Sequence, residues 1–332
     1  VTRIGVLGAG SWGTTLADML ARQDHDVTVW AYEPEVVAQI NAERMNRLFL
    51  DGCPLAPSLR ASDDPEAVVR DADLVLSAAP SHAVRRVLGR AAPALRDGVL
   101  LVSATKGIET DTLRRMSQVV AEIAPQVRYV ALSGPSFAVE VYNGQPTAVV
   151  AASADPEAAR ITQRVLSTPR FRVYTGTDVI GVELGGAVKN VIAIAAGILE
   201  GLGLGHNPRA ALITRGLAEI TRLGVAMGAD PATFAGLAGL GDLVLTATGH
   251  LSRNRSLGVA LGRGQSLEHY LSQHRTVAEG VHTTRAALRL AEQRGVEMPI
   301  TAQVAAVLFA GKAPSAALAE LMERALKAER PS

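Results

Sequence analysis

Apolar positions in the first half of the chain come in short runs of strand length, and between them the period lengthens to that of a helix. Residues 3–8 (Arg3-Ile4-Gly5-Val6-Leu7-Gly8) form the first run, residues 14–22 carry a helical pattern, and Asp26-Val27-Thr28-Val29-Trp30 forms the second run. The same reading predicts strands over 72–78, 98–104, 127–132, 147–152 and 170–175, with helices over 81–88, 112–123 and 156–166. Alternation of this kind predicts a parallel, doubly wound sheet that holds ligands at the carboxyl ends of its strands. After residue 178 the strand signals stop, and the remainder reads as helices broken by Gly and Pro, among them 207–227 and 281–294.

One of those helices is apolar at nearly every position. The segment Gly185-Gly186-Ala187-Val188-Lys189-Asn190-Val191-Ile192-Ala193-Ile194-Ala195-Ala196-Gly197 has no polar face to give to water, so it is expected to be buried. Lys189 and Asn190 interrupt it. An ammonium taken out of water without a partner costs several kcal/mol, so it is expected to be paired, shifted in pKa, or used. Of the 33 Lys and Arg residues only four are Lys (Lys106, Lys189, Lys312 and Lys327), and an amine, unlike a guanidinium, can give up its proton near neutral pH.

The first strand ends in Gly8-Ala9-Gly10-Ser11-Trp12-Gly13 and a helix follows. This is G-x-G-x-x-G in its required context: Gly8 for the tight turn, Gly10 for backbone approach to a pyrophosphate, Gly13 for helix-on-strand packing, with the helix N-terminus facing the phosphates. The fold class is therefore α/β, an N-terminal Rossmann-like doubly wound sheet (residues 1–178) followed by an all-α C-terminal domain (residues 179–332). Glu33, about 20 residues past the last glycine, suits the 2′-hydroxyl of NAD, but Ala31 and Tyr32 come first, so NAD or NADP is left open. Arg44 or Arg47 could meet a 2′-phosphate; the alternative reading is that both are solvated helix residues.

Other motifs fall at strand ends. Ser81, in Ala79-Pro80-Ser81-His82, is expected to cap a helix facing the cofactor, with His82 a packing residue. Lys106, in Ala104-Thr105-Lys106-Gly107, stands where it can reach an anion or a carbonyl oxygen, and Ser133-Gly134-Pro135-Ser136-Phe137-Ala138 suits a loop pressed against a ligand. In the helical half, Asp242 lies in the apolar run Gly239-Leu240-Gly241-Asp242-Leu243-Val244-Leu245-Thr246. A buried carboxylate needs a partner, and Lys189 is the expected one. Ser252-Arg253-Asn254-Arg255 offers a phosphate grip or an exposed loop, and Thr276-Val277-Ala278-Glu279-Gly280 an ordinary helix start.

The bulk numbers narrow the setting. At 332 residues the chain has room for two cores, and a net charge of +1 with no Lys/Arg block gives no reason to expect a nucleic-acid partner. Cys53 is the only cysteine, so no disulfide framework is expected. The chain opens on a strand without room for a signal peptide, and the uncharged run 190–199 is too short for a bilayer, so no membrane insertion and a cytoplasmic setting are expected. Oligomeric state is open, a homodimer included. His and Cys show no metal-ligand spacing, so no metal is expected.

Assembled, these motifs, with Val296-Glu297-Met298-Pro299-Ile300, resemble those of bacterial NAD(P)-dependent glycerol-3-phosphate dehydrogenases nearly end to end. The resemblance implies reversible reduction of dihydroxyacetone phosphate to sn-glycerol 3-phosphate, feeding glycerophospholipid synthesis, with Lys189 as acid/base. It further implies that Lys106 and Asn190 orient or polarise the substrate oxygen and that Asp242 holds Lys189. Gly134, Ser136, Ser252, Arg253 and Asn254 would contact substrate. Ser11, Trp12, Tyr32, Lys106, Ala138, Arg253, Val277 and Glu279 would contact cofactor, Val277 and Glu279 on the resemblance alone. Departures are Trp12, where Phe or Tyr is also common, Tyr32, where a basic residue or His is frequent, and Glu200 in place of Asp, read as structural. Rival readings are a β-hydroxyacid dehydrogenase of the same architecture, which would bind a carboxylate, and a non-catalytic nucleotide-binding regulator, which would not need Lys189 and Asp242.

Overall fold

The computed structural model describes residues 1–274, 278–326, 328 and 329. Strands and helices alternate from the start: β1 (Arg3–Leu7), α1 (Ser11–Ala21), β2 (Asp26–Trp30), α2 (Pro34–Glu43), β3 (Arg60–Ser62), α3 (Pro65–Val69), β4 (Leu74–Ser77), α4 (Val84–Ala91), β5 (Leu100–Ser103), α5 (Met116–Ile123), β6 (Arg128–Ser133), α6 (Ala138–Tyr142), β7 (Thr147–Ala152), α7 (Pro156–Leu166) and β8 (Phe171–Gly176). They form one eight-stranded sheet in the order β3-β2-β1-β4-β5-β6-β7-β8. Side chains alternate between its faces, as the pleat requires. Leu74 and Leu76, with Leu100 and Val102, enter the core under α1 and α2. Val75 and Leu101 enter the core under α4 and α5.

The sheet departs from the sequence reading in one respect. β7 pairs antiparallel with β6, whereas the other neighbours are parallel. Residues 134–146 contain only the five-residue α6. That helix is too short to carry the chain back along the sheet for a parallel return. The short β3 and α3 had no clear periodic signal because three and five residues are too few to show one.

The helical half comprises α8 (Val179–Gly201), α9 (His206–Ala226), α10 (Pro231–Phe234), a π-helical turn (Leu237–Gly241), α11 (Asp242–Thr248), α12 (Arg253–Gly262), α13 (Leu267–Gln273), α14 (Glu279–Arg294), α15 (Pro299–Phe309) and α16 (Pro314–Met322). α8 is its axis. Leu184, Val188, Val191, Ile192 and Ile194 are buried against Ile220, Phe234, Leu243, Leu257 and Val281 from the surrounding helices. By length and composition α8 could cross a membrane, but 89% of its apolar stretch is buried within the fold.

α8 and α12 touch backbone to backbone through glycines spaced four apart on each helix. A Cβ on Gly197 would lie on the carbonyl of Arg255 and 2.8 Å from Gly258 Cα, and a Cβ on Gly262 would lie 2.9 Å from Gly201 Cα. The two halves of the chain also share a buried ionic cluster. Glu183 on α8 accepts from Ser117 N (2.6 Å), Ser117 Oγ (2.8 Å), Tyr129 Oη (2.7 Å) and Arg115 Nη1 (2.5 Å). Burial, reinforced by the Glu183 charge, holds the Tyr129 phenol far above its ordinary pKa, so it stays a donor.

Overpacking at a backbone contact typically costs about 1–3 kcal/mol, so Gly197→Ala and Gly258→Ala are each expected to lower unfolding free energy by about that amount. Gly89→Ala on α4, where a Cβ meets nothing within 4 Å, is expected to be neutral or slightly stabilising. Urea denaturation of the three variants checks this; equal behaviour at all three positions would refute the close-contact account.

Candidate active site

Gly8 ends β1 with φ +116°, and a Cβ there would come within 2.8 Å of Ala79 N. A Cβ on Gly13 would strike the Gly8 carbonyl, whereas Gly10 faces open space with nothing within 4 Å. Gly10 is also the N-cap of α1 and supplies no side-chain cap. The first-turn N–H groups therefore remain available to an anion, and the glycines fit a pyrophosphate cradle.

The turn is held from beneath by a residue that sequence reading missed. Asn46 Nδ2 donates to Ala9 O (2.8 Å) and Thr14 Oγ1 (2.8 Å), and Ser11 Oγ donates to Phe49 O (2.5 Å). Asn46 is fully buried, but a lone Asn between helix and turn carries no periodic signal. Trp12 packs with its ring 6.3 Å from that of Phe171, and the carbonyl of Ala138 accepts from Thr15 Oγ1 at 3.3 Å. Tyr32 is 67% exposed at the end of β2.

Three expectations near this end need correction. Ser81 does not cap α4, whose N-cap is Ala83; its hydroxyl instead donates to Glu279 Oε2 at 2.8 Å, linking α14 to the loop after β4. Arg44 is not a solvated helix residue: it closes α2 in the left-handed conformation, and its Nη1 donates to Leu59 O at 2.8 Å. Arg47 lies beyond α2 and pairs with Glu43. His82 packs against His282, with ring centroids 5.4 Å apart. Val277 lies outside the described residues.

At the junction of the two halves, Asp242 bridges both unusual lysines. Lys189 donates to Asp242 Oδ1 and to Thr246 Oγ1 (2.8 Å), while Lys106 Nζ donates to Asp242 Oδ2 (2.7 Å) and to Gly134 O (2.9 Å). Residue exposures are 5% for Lys189 and 1% for Asp242. Asp242 reaches this position because the π-helical turn ends there and α11 begins, and because α8 presents Gly185 to the turn. A Cβ on Gly185 would lie 2.5 Å from Ala238 O. Thr246, one turn after Asp242, also donates to the Asp242 carbonyl at 2.7 Å. Its i+4 spacing was the signal that sequence reading passed over.

Burial depresses the Lys189 amine to a pKa of about 7; Asp242 pulls it up and Lys106 pushes it down again. Desolvation therefore wins over the ion pair. The amine can exchange its proton at neutral pH while remaining anchored by a carboxylate.

Asn190 projects from the next position of α8. Its Oδ1 accepts from Asn254 Nδ2 at 3.0 Å, and Asn254 Oδ1 accepts from Gly280 N at 2.9 Å. Ser252 caps α12 by accepting from Arg255 N at 3.2 Å. Arg255 is engaged by Glu200 through two bonds (2.9 and 2.6 Å), with Arg209 also on Glu200 at 3.1 Å, so Glu200 has an ionic packing role. Arg253 is exposed and forms no ion pair among the described residues. Ser136 Oγ donates to Gly134 O (2.9 Å), the same carbonyl that receives Lys106. An apolar cavity of about 820 Å³ lies elsewhere, between α8, α9 and α15, and does not touch the lysines.

A glycine cradle at the carboxyl edge of a doubly wound sheet, together with a buried lysine on the first helix of an α-helical half, fits the class of dinucleotide-dependent dehydrogenases. The chain belongs to the NAD-dependent glycerol-3-phosphate dehydrogenase family: residues 3–159 match its N-terminal part and residues 178–319 its C-terminal part. It is 60% identical over 331 residues to glycerol-3-phosphate dehydrogenase (NAD(P)+) from Geobacter sulfurreducens, covering 99% of both chains. Among solved structures it is similar to glycerol-3-phosphate dehydrogenase from Coxiella burnetii (42% identity, TM-score 0.94, 97% of this chain and 99% of that one). A ketopantoate reductase from Ralstonia eutropha (18% identity, TM-score 0.62, 95% and 99% covered) shares the fold alone.

With only four lysines in the chain, their ¹³Cε resonances are separable in a selectively labelled sample. The Lys189 signal is expected to titrate near pH 7, with the amine protonated below and neutral above. Lys106→Met, which removes a neighbouring positive charge, is expected to move the midpoint upward. A wild-type midpoint at the ordinary lysine value of about 10.4 would refute the burial argument.

Proposed function

We propose that the protein reduces dihydroxyacetone phosphate to sn-glycerol 3-phosphate with NADH or NADPH, and runs the reverse oxidation. The observation that carries this reading is the buried Lys189–Asp242–Lys106 cluster at the junction of a dinucleotide cradle and a helical half. When bound, the reduced nicotinamide supplies a hydride to the substrate carbonyl carbon. Negative charge then develops on the carbonyl oxygen. The Lys189 ammonium stabilises that charge and delivers the proton that completes the secondary alcohol. Asp242 fixes the amine in place, and a pKa of about 7 leaves it able to reload from solvent at neutral pH. Lys106 and Asn190 border the same oxygen and polarise or orient it.

The substrate's phosphate and hydroxyl contacts fall to Gly134, Ser136, Ser252, Arg253 and Asn254. Their distinct positions support distinct roles. Arg253 is the exposed cation free to form a bidentate pair. Ser252 and Asn254 shape the α12 N-terminus behind it. Gly8, Gly10, Ser11, Trp12, Gly13, Tyr32, Lys106, Ala138, Arg253 and Glu279 are assigned to the cofactor. A cytoplasmic setting is supported by the lone, buried Cys53. Run toward glycerol 3-phosphate, the proposed reaction feeds glycerophospholipid synthesis.

Lys189→Met is expected to lower kcat by at least about 10²-fold, the usual contribution of a general acid, while the dissociation constant for the dinucleotide stays within about twofold. Stopped-flow absorbance and fluorescence titration measure the two; retention of most turnover would remove Lys189 from the chemistry. Arg253→Ala is expected to raise KM for dihydroxyacetone phosphate about tenfold or more, in line with loss of a charge-assisted bond. An unchanged KM takes Arg253 out of the phosphate site. If wild-type protein oxidises neither NADH nor NADPH with this substrate, the proposed function is wrong.

A further inference from the structure

The segment between β5 and α5 belongs to the sheet half by sequence and to the helical half by packing. Ile108 is 1% exposed, Leu113 is also buried, and both enter the core formed by Leu184, Val188, Ile220, Leu257 and Leu290. Every other buried member of that core, among the described residues, comes from residue 184 onward. The segment is a compact turn: Glu109 N donates to Arg114 O (2.9 Å), Leu113 N donates to Glu109 O (2.9 Å), and Ile108 bridges Arg115. Leu113 has φ +60°, a left-handed conformation that a residue with a Cβ adopts only at a cost. Burial of its side chain in the helical core offsets that cost.

Polar contacts hold the turn from outside the core. Glu109 accepts from Arg85 of α4 through Nε (2.7 Å) and Nη2 (2.8 Å), and Arg289 Nη1 of α14 donates to Thr110 O (3.0 Å). Lys106 is fixed on both sides. Thr105 Oγ1 donates to Ala79 O at 2.7 Å, and a Cβ on Gly107 would lie 2.4 Å from Ser81 Oγ. Residues two apart span at most about 7 Å, so the backbone of Lys106 follows wherever Ile108 is seated.

We infer that Ile108 is a positioning residue: seated in the helical core, it holds Lys106 against Asp242, so that this lysine of the sheet half keeps its place beside Lys189 on α8. Its part in turnover rests on the proposed function.

The ¹³Cε titration of Lys189 in the full-length protein tests this without substrate. Lys106 pushes the Lys189 pKa down, so a Lys106 that drops away lets the midpoint rise. Ile108→Ala is expected to raise it by about half a unit or more, in the direction of Lys106→Met, and to lower kcat for dihydroxyacetone phosphate about tenfold. The double variant Lys106→Met/Ile108→Ala is expected to rise no further than Lys106→Met alone. Ile108→Val, which keeps the branched shape, and Leu308→Ala, which takes a side chain of similar size from the same core on α15, are expected to stay at the wild-type midpoint. Should Ile108→Ala fail to fold, Leu113→Gly takes its place, since glycine accepts φ +60° and only the second anchor is removed. An unmoved midpoint, an unchanged kcat, an additive double variant, or an equal rise in Leu308→Ala overturns the assignment. If wild type does not reduce dihydroxyacetone phosphate, the proposed function fails, and the midpoints still judge the anchor.

Discussion

A single carboxylate is shared between two ammonium groups, and the rest of the site depends on that arrangement. Asp242 is almost fully buried, and each of its oxygens faces a different lysine, one from the sheet half and one from the helical half. An ionised carboxylate in such a place is tolerable only with excellent partners, and losing one partner strands a charge. Two cations to one anion also leaves an excess of positive charge. Burial relieves that excess by weakening the hold of Lys189 on its proton. The property useful to an acid catalyst thus arises from the same desolvation that makes the cluster costly to build.

The surrounding fold serves to keep that cluster in register. Lys106 stands after β5, Gly134 after β6, and Lys189 within α8, three elements far apart in sequence. Glu183 ties α8 to α5 and β6 through four bonds, and Ser81 with Glu279 ties α14 to the loop after β4. These contacts lie between the halves and are largely out of water. They are buried enough for hydrogen bonds to charged groups to contribute more than they would at a surface.

Much of this was legible in the sequence because it follows from local rules. The glycine turn, the strand-helix alternation and the apolar helix broken by Lys189 each follow from spacing or composition. Asp242 as the partner of Lys189 followed from the cost of a buried charge. What escaped was non-local. The reversal of β7 depends on the length of a loop helix, not on the strand's own pattern. Asn46 under the glycine turn and Ser81 on Glu279 are single polar residues whose partners lie 37 and 198 positions away. Arg44 looked solvated because a left-handed helix end that folds an arginine back onto carbonyls leaves no mark in a charge pattern.

The glycine seam between α8 and α12 has a consequence for substrate choice. Backbone lies on backbone at Gly197–Gly258 and Gly201–Gly262, so no side-chain rotamers separate the two helices. Lys189 and Asn190 ride on one of them, Ser252 and Arg253 on the start of the other. On the proposed roles, proton donor and phosphate grip therefore belong to one rigid piece. Any substrate spanning the two must fit that fixed backbone spacing, leaving only the exposed Arg253 side chain to adjust.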